Sequence, residues 1–171
     1  LIDLFELEKQ QHLFIADEVF CCIGTTKAKT PNEEQYLKID YAIPATLAQL
    51  CKKMGIHTLL VISALGANKN SKIFYNRTKG RMEEEVLRNK IKNTYILQPS
   101  LIGGSRNEKR LGEKIAKLFM SILNPFLIGS LKKYRSIHPD TIAKAMIWLA
   151  NNDYKSRRIP SNEIQQIADS L

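Results

Sequence analysis

Tyr75 and Lys79 stand four residues apart in the stretch Phe74-Tyr75-Asn76-Arg77-Thr78-Lys79, downstream of Ser63. Residues at i and i+4 share one helix face, so a phenol and an ammonium at this spacing can enter the same cleft. Such a set suits hydride-transfer chemistry, in which a proton moves to or from a carbonyl or alcohol oxygen. A free tyrosine titrates near about 10, and lowering that to roughly 7 takes about 4 kcal/mol of preferential phenolate stabilisation. Unit charges about 4 Å apart at an effective dielectric of about 20 interact by about 4 kcal/mol, so one lysine has the right strength. Tyr-x-x-x-Lys also recurs by chance, and the setting of Ser63 is what gives it weight. Ser63 ends His57-Thr58-Leu59-Leu60-Val61-Ile62, an apolar run of the kind that forms a short buried strand, and Gly66 follows.

Other elements must position these groups. Val19 to Ile23 is a continuous apolar run that opens into Gly24-Thr25-Thr26, which reads as a buried strand entering a loop. Residues 33–54 carry Leu37, Tyr41, Leu47, Leu50 and Met54 at helical spacing, with a kink expected at Pro44 and a stop at Gly55. A helix is expected through Tyr75 to Leu87, then a strand over Thr94 to Leu97 ending at Pro99-Ser100. Leu1 to Leu4 reads as a strand end and Glu6 to Ile15 as a helical patch. Asp140 and Ser161 read as caps of two late helices, the second turning Ile164 and Ile167 inward. Strand and helix alternate, so the fold class is α/β, a doubly wound parallel sheet whose ligands bind at the carboxyl ends of the strands. Residues 103–171 read as a small, mostly helical region on the substrate side of a single domain.

Composition sets the remaining bounds. The 171 residues are 44% hydrophobic, enough for a substantial core, and the net charge of +9 favours an anionic partner. The basic residues are dispersed and form no nucleic-acid-binding motif, so most read as solvated surface; a phosphorylated cofactor is one candidate partner, and nucleic acid ranks well below it. Cys21, Cys22 and Cys51 have no metal-ligand spacing and are odd in number, which predicts reduced, buried thiols, no metal and a cytoplasmic protein. The uncharged run from Leu118 to Leu131 contains Pro125 and Gly129 and is too short and broken to span a bilayer. It suits core packing first, and otherwise a substrate lid, a protein-partner surface or a peripheral membrane contact, and a homodimer is compatible with it.

Taken together, Phe20-Cys21-Cys22-Ile23-Gly24-Thr25-Thr26-Lys27, Ser63 with Gly66-Ala67, Tyr75-x-x-x-Lys79-Gly80 and Gln98-Pro99-Ser100 resemble the short-chain dehydrogenase/reductase superfamily in its extended or atypical branch. The nearest likeness is to Tat-interacting-protein-like oxidoreductases. The resemblance implies a Rossmann-like sheet and an NAD or NADP cofactor, with NADP slightly favoured by the basic balance. It places Asp3 and Leu4 beside the adenine ring, Gly24, Thr25 and Thr26 along the dinucleotide, Lys27 near the phosphates, and Pro99 and Ser100 at the nicotinamide amide. By the same likeness Ser63 orients the substrate oxygen, Tyr75 exchanges the proton, and Lys79 binds the nicotinamide ribose while lowering the tyrosine pKa.

Two departures from the pattern stand out. The 171 residues contain no G-x-x-G-x-x-G phosphate loop, so the N-terminal βαβ unit that carries it is expected to be missing from this sequence. Asp40 falls where related enzymes often carry asparagine, and a solvated helix position is an equally good reading of it. The expected function is an NAD(P)-dependent oxidoreductase or epimerase acting on a carbonyl or secondary alcohol. The alternative is an NADPH-sensing regulatory or assembly protein with little turnover.

Overall fold

Strands β1 (Glu18–Cys21), β2 (Thr58–Ile62), β3 (Asn93–Gln98) and β4 (Arg158–Pro160) form one sheet in that order, every neighbouring pair parallel. The structure is a computed structural model and describes residues 3–103, 127 and 129–171. The helices are α1 (Glu33–Leu37), α2 (Ile43–Lys53), α3 (Phe74–Arg88), α4 (Pro139–Asn151) and α5 (Ser161–Asp169). A π-helical turn, Lys38–Ala42, joins α1 to α2, and two 3-10 segments span Leu7–Leu13 and Gly129–Tyr134.

Side chains alternate across a strand, so one apolar run serves two cores. Leu59, Val61 and Ile96 pack with Leu47, Ala48 and Cys51 of α2 and Met82 and Val86 of α3. Leu60, Tyr95 and Leu97 point the other way, against Ile142, Ala145, Met146 and Leu149 of α4 and Ile164 and Ile167 of α5. Helices on both faces make the sheet doubly wound, as the alternation of elements implies. Leu59, Leu60 and Val61 of β2 are buried on both faces because strands flank β2 on either side, whereas Phe20 of β1 is 44% exposed.

Several local expectations are corrected. Asp3 and Leu4 lie in a turn in which Asp3 Oδ1 accepts the Phe5 N–H at 2.9 Å, so they do not end a strand. The helical patch expected after Glu6 is present, as the 3-10 segment Leu7–Leu13. The kink expected at Pro44 is the π-helical turn: Ile43 N–H reaches back five residues to the Lys38 carbonyl, and Pro44 opens α2 in its first turn, where a missing N–H costs nothing. His138, not Asp140, caps α4 through Nδ1, and Pro160 precedes α5 with Ser161 already inside it. Cys22 is exposed because it lies past the end of β1, while Cys21 and Cys51 are buried as expected. β4 is three residues long and ends in proline, too brief to register as a strand pattern. The expectations for residues 104–126, including most of the uncharged run, lie outside the described residues.

Candidate active site

The carboxyl ends of the first three strands open into one cleft of about 1160 Å³. The loop after β1 brings Cys22 to Thr26, the loop after β2 brings Ser63 to Gly66, and the segment after β3 brings Pro99 to Gly103. Helix α3 adds Tyr75, Asn76 and Lys79, and the second 3-10 segment closes the far side with Lys133 and Tyr134. Gly24, Thr25, Thr26, Ser63, Tyr75, Lys79, Pro99 and Ser100 are therefore brought together. Three residues named by the sequence reading are not among the lining. Leu4 borders a separate hollow with Gln35 and Lys38, Asp3 is held in its own turn, and Lys27 pairs with Glu33 at 2.6 Å while lying over the Phe74 ring.

Two close backbone approaches shape the rim. Gly66 adopts φ +88°, a conformation that favours glycine, and turns the chain back across α3, where Asn68 N–H donates to the Asn76 carbonyl at 3.0 Å. Gly80 lets the loop rest directly on the helix: a Cβ there would stand 2.2 Å from the Lys69 nitrogen. The glycine after Lys79 is thus a packing requirement that fixes the height of the rim above Tyr75.

At the cleft floor the buried Lys79 ammonium stands 2.8 Å from Asp40 Oδ1. The other carboxylate oxygen of Asp40 accepts the Thr25 N–H at 2.7 Å, which ties the loop after β1 to the π-helical turn. Asp40 is fully buried and central, so its reading as a solvated helix position is overturned. The sequence signal was present in the proline four residues on, but a π-helical turn that rotates one side chain inward has no simple pattern. Gly24 lies against this pair, since a Cβ on it would meet Asp40 Oδ1 at 3.4 Å and Lys79 Nζ at 3.6 Å.

The electrostatics differ from the simple tyrosine–lysine picture. Burial first, and the negative charge of Asp40 second, push the Tyr75 phenol above its ordinary value. The Lys79 charge meets its counter-charge in Asp40 at contact distance. Tyr36 of α1 is a second phenol in this field, pushed up by burial and then by Asp40 and Tyr75, with its hydroxyl 3.5 Å from the Thr25 carbonyl oxygen. Ser63 lines the cleft, but its hydroxyl hydrogen is donated to Glu83 Oε1 at 2.6 Å. Ser100 likewise donates to the Arg135 carbonyl and accepts from Ser161 at 3.1 Å. Among the described residues, no group of three histidine, cysteine or acidic side chains is placed to hold a metal.

A cleft at the carboxyl ends of parallel strands is where open α/β sheets bind their ligands. Solved structures agree on the fold. The chain resembles the Helicobacter pylori ADP-L-glycero-D-manno-heptose-6-epimerase with a TM-score of 0.66 at 16% identity, covering 99% of this chain and 63% of that one. A UDP-glucose 4-epimerase from Thermotoga maritima gives 0.66 at 14%, covering 99% and 66%. The dTDP-4-dehydrorhamnose reductase of Bacillus anthracis in complex with NADP gives 0.52 at 15%, covering 95% and 73%. The fold is therefore the Rossmann-like fold that these epimerases and this reductase share.

No protein-family model matches the chain. Curated relatives are closer in sequence. Protein FMP52, mitochondrial, of Debaryomyces hansenii is 35% identical over 160 residues, 89% of this chain and 70% of the relative. The Aspergillus niger protein fmp52, mitochondrial, is 34% identical over 131 residues, covering 77% and 56%. That of Candida albicans is 35% identical over 103 residues, covering 60% and 45%. The chain thus spans between about half and two thirds of the length of these relatives. Their names overturn the cytoplasmic expectation: reduced thiols mark a reducing environment and do not distinguish one such compartment from another. No helix among the described residues is long and apolar enough to cross a membrane. On sequence identity and coverage together, the chain belongs to the FMP52 family.

Proposed function

We propose that this chain carries the catalytic side of an NAD(P)-dependent oxidoreductase acting on a carbonyl or secondary alcohol, working in mitochondria as its relatives' names suggest. The observation that carries the reading is the placing of Tyr75 and Lys79 on one face of α3, inside the cleft at the strand ends. When bound, a nicotinamide cofactor supplies or accepts the hydride. The chain's own residues do the rest. Gly24, Thr25 and Thr26 form the wall along which the dinucleotide lies, and Pro99 and Ser100 border the nicotinamide amide. Lys79 holds the ribose side, and Tyr75 gives or takes the proton at the substrate oxygen. The net charge of +9 leans toward the additional phosphate of NADP.

The test is titration of the intact protein with NADPH and NADH, then a carbonyl and alcohol screen with the wild type and Tyr75→Phe. The expected result is turnover that falls by at least about 100-fold in Tyr75→Phe while cofactor affinity is kept. Turnover indifferent to the substitution sinks the assignment.

A second reading, an NADPH-sensing protein with little turnover, is favoured by one observation. The Ser63 hydroxyl has a single hydrogen to donate, and it is engaged by Glu83. Tight NADPH binding without turnover on any screened compound selects that reading.

A further inference from the structure

We propose that the cleft takes an apolar carbonyl compound, an aliphatic aldehyde or ketone whose chain lies along the wall built after β2 and β3. The inference rests on the oxidoreductase reading for the end that meets Tyr75, and adds the class of substrate.

The composition of the wall carries it. Leu65 from the loop after β2, Leu101 and Ile102 from the segment after β3, Leu127, and Tyr134 from the second 3-10 segment all line the cleft. Because β2 stands between β1 and β3 in the sheet, the segment after β3 lies across the cleft mouth from Gly24, Thr25 and Thr26. Leu101 is 47% exposed and Tyr134 is 48% exposed. Single exposed apolar side chains need no explanation, but several gathered in one concave wall are what a small-molecule site presents.

The polar groups of the same wall are turned inward. Among the described residues, Ser63 and Ser100 are the only hydroxyl side chains that the segments after β2 and β3 give to the cleft. Each has spent its one hydrogen within the protein, Ser63 on Glu83 Oε1 at 2.6 Å and Ser100 on the Arg135 carbonyl. Ser100 also accepts from Ser161 at 3.1 Å. Lys133 holds its ammonium over the neighbouring Tyr134 ring, 5.3 Å from the centroid, a cation–π pairing inside the wall. A polyhydroxylated substrate laid here would leave several hydroxyls without partners, each at a cost, whereas an alkyl chain asks for none. A carbonyl head needs a donor at one point only, and Tyr75 of α3 lines the same cleft.

The cleft has room for such a chain beside a cofactor. Its volume of about 1160 Å³ exceeds the roughly 300–1,000 Å³ of an ordinary small-molecule site. A nicotinamide along Gly24 to Thr26 therefore leaves space along Leu65, Leu101 and Tyr134.

The test begins with binding and needs no turnover. Octanamide, butanamide and glyceramide are inert carbonyl analogues that differ in alkyl length and hydroxyl content. Their affinities for the intact protein, with and without NADPH, are read from amide shifts of nitrogen-15-labelled protein. Octanamide is expected to bind at least about tenfold tighter than butanamide, because four further methylenes leave water even if each is only half buried, and glyceramide is expected to bind weakest. Leu101→Gln should cut the octanamide advantage by at least about threefold. The backbone there is held independently of the side chain, since the Leu101 carbonyl accepts the Ile137 N–H at 3.0 Å. Leu13→Gln, at a leucine 52% exposed and outside the cleft, should leave the advantage intact. If Leu101→Gln does not fold, Tyr134→Ser on the same wall takes its place. No octanamide binding, equal affinities for the two alkyl amides, tighter binding of glyceramide, or an advantage that survives the wall variant overturns the inference.

Turnover then separates this inference from the reading beneath it. With NADPH, octanal should be reduced with kcat/KM at least about tenfold above that of butanal. The carbonyl carbon takes a hydride from the reduced nicotinamide and the oxygen takes a proton from Tyr75, giving octan-1-ol and oxidised nicotinamide. Turnover without a length preference overturns the substrate class alone. A length preference in binding with no turnover of any aldehyde fails the oxidoreductase reading and leaves the apolar site standing.

Discussion

Ser63 Oγ donates to Glu83 Oε1 at 2.6 Å, a bond between the end of β2 and the middle of α3 that is closed to solvent. Glu83 lies four residues beyond Lys79 and eight beyond Tyr75, so the three share a helix face and differ in depth. Its carboxylate is 1% exposed and also takes Gln98 Nε2 at 2.9 Å from the end of β3 and Arg158 Nε at 2.7 Å from β4. One acid therefore gathers three strands at the end where the cleft opens. A buried carboxylate is tolerable because donors surround it and a guanidinium matches its charge.

Glu83→Gln should accordingly destabilise the protein by about 2–3 kcal/mol, since a neutral amide leaves Arg158 with only the more exposed Glu84 as a counter-charge and sets an N–H against other donors. Ser63→Ala removes one donor of the network and should cost only about 1 kcal/mol. Urea unfolding of the two variants checks the ranking. Equal, negligible losses would mean that the carboxylate is not the tie between these strands.

Gly80→Ala tests the contact beneath the rim. The added methyl would meet backbone atoms, at 2.2 Å from the Lys69 nitrogen and 2.3 Å from the Asn68 carbonyl carbon, and backbone cannot yield as a flexible side chain does. A loss of about 1–3 kcal/mol is expected, with residues 66–71 becoming more open to protease. Gly24→Ala is the contrast: its nearest atoms lie at 3.4 and 3.6 Å, ordinary contact distance, so stability should be nearly unchanged. Equal stability in both variants would contradict the packing of the loop on α3.

How much of this was legible follows from the range over which each feature is specified. The strands β2 and β3 and the helix carrying Tyr75 are written in local periodicity, and their order fixes the sheet and the end at which the cleft forms. Eight of the eleven residues named for the site line the cleft; Asp3 and Leu4 lie elsewhere, and Lys27 turns to Glu33 and the Phe74 ring. What no local pattern contains is partnership. Whether Ser63 faces substrate or Glu83 depends on a residue twenty positions later, and whether Lys79 acts as a free cation depends on a π-helical turn that rotates Asp40 into the core. The three-residue β4 is too short to declare itself and is held as a strand by pairing with β3.

The buried thiols give the protein an alkaline limit. Burial, the largest cause, pushes both Cys21 and Cys51 from 9.0 up to about 11. The unfolded chain then releases protons between about pH 9 and 11 that the folded chain retains, so stability is fully present below about pH 9 and is lost as pH rises through the folded value. A shift of two pKa units corresponds to about 2.7 kcal/mol for one thiol. The two are not additive, because a Cys21 thiolate itself opposes ionisation of Cys51. Urea midpoints measured from pH 7 to pH 11 should therefore begin to fall near pH 9, before the tyrosines contribute. Cys21→Ala lowers stability at every pH through its cavity but should flatten that slope. In the native protein at pH 8 the exposed Cys22 should react with a thiol reagent well before Cys21 and Cys51. A slope unchanged by Cys21→Ala would assign the alkaline loss to other groups.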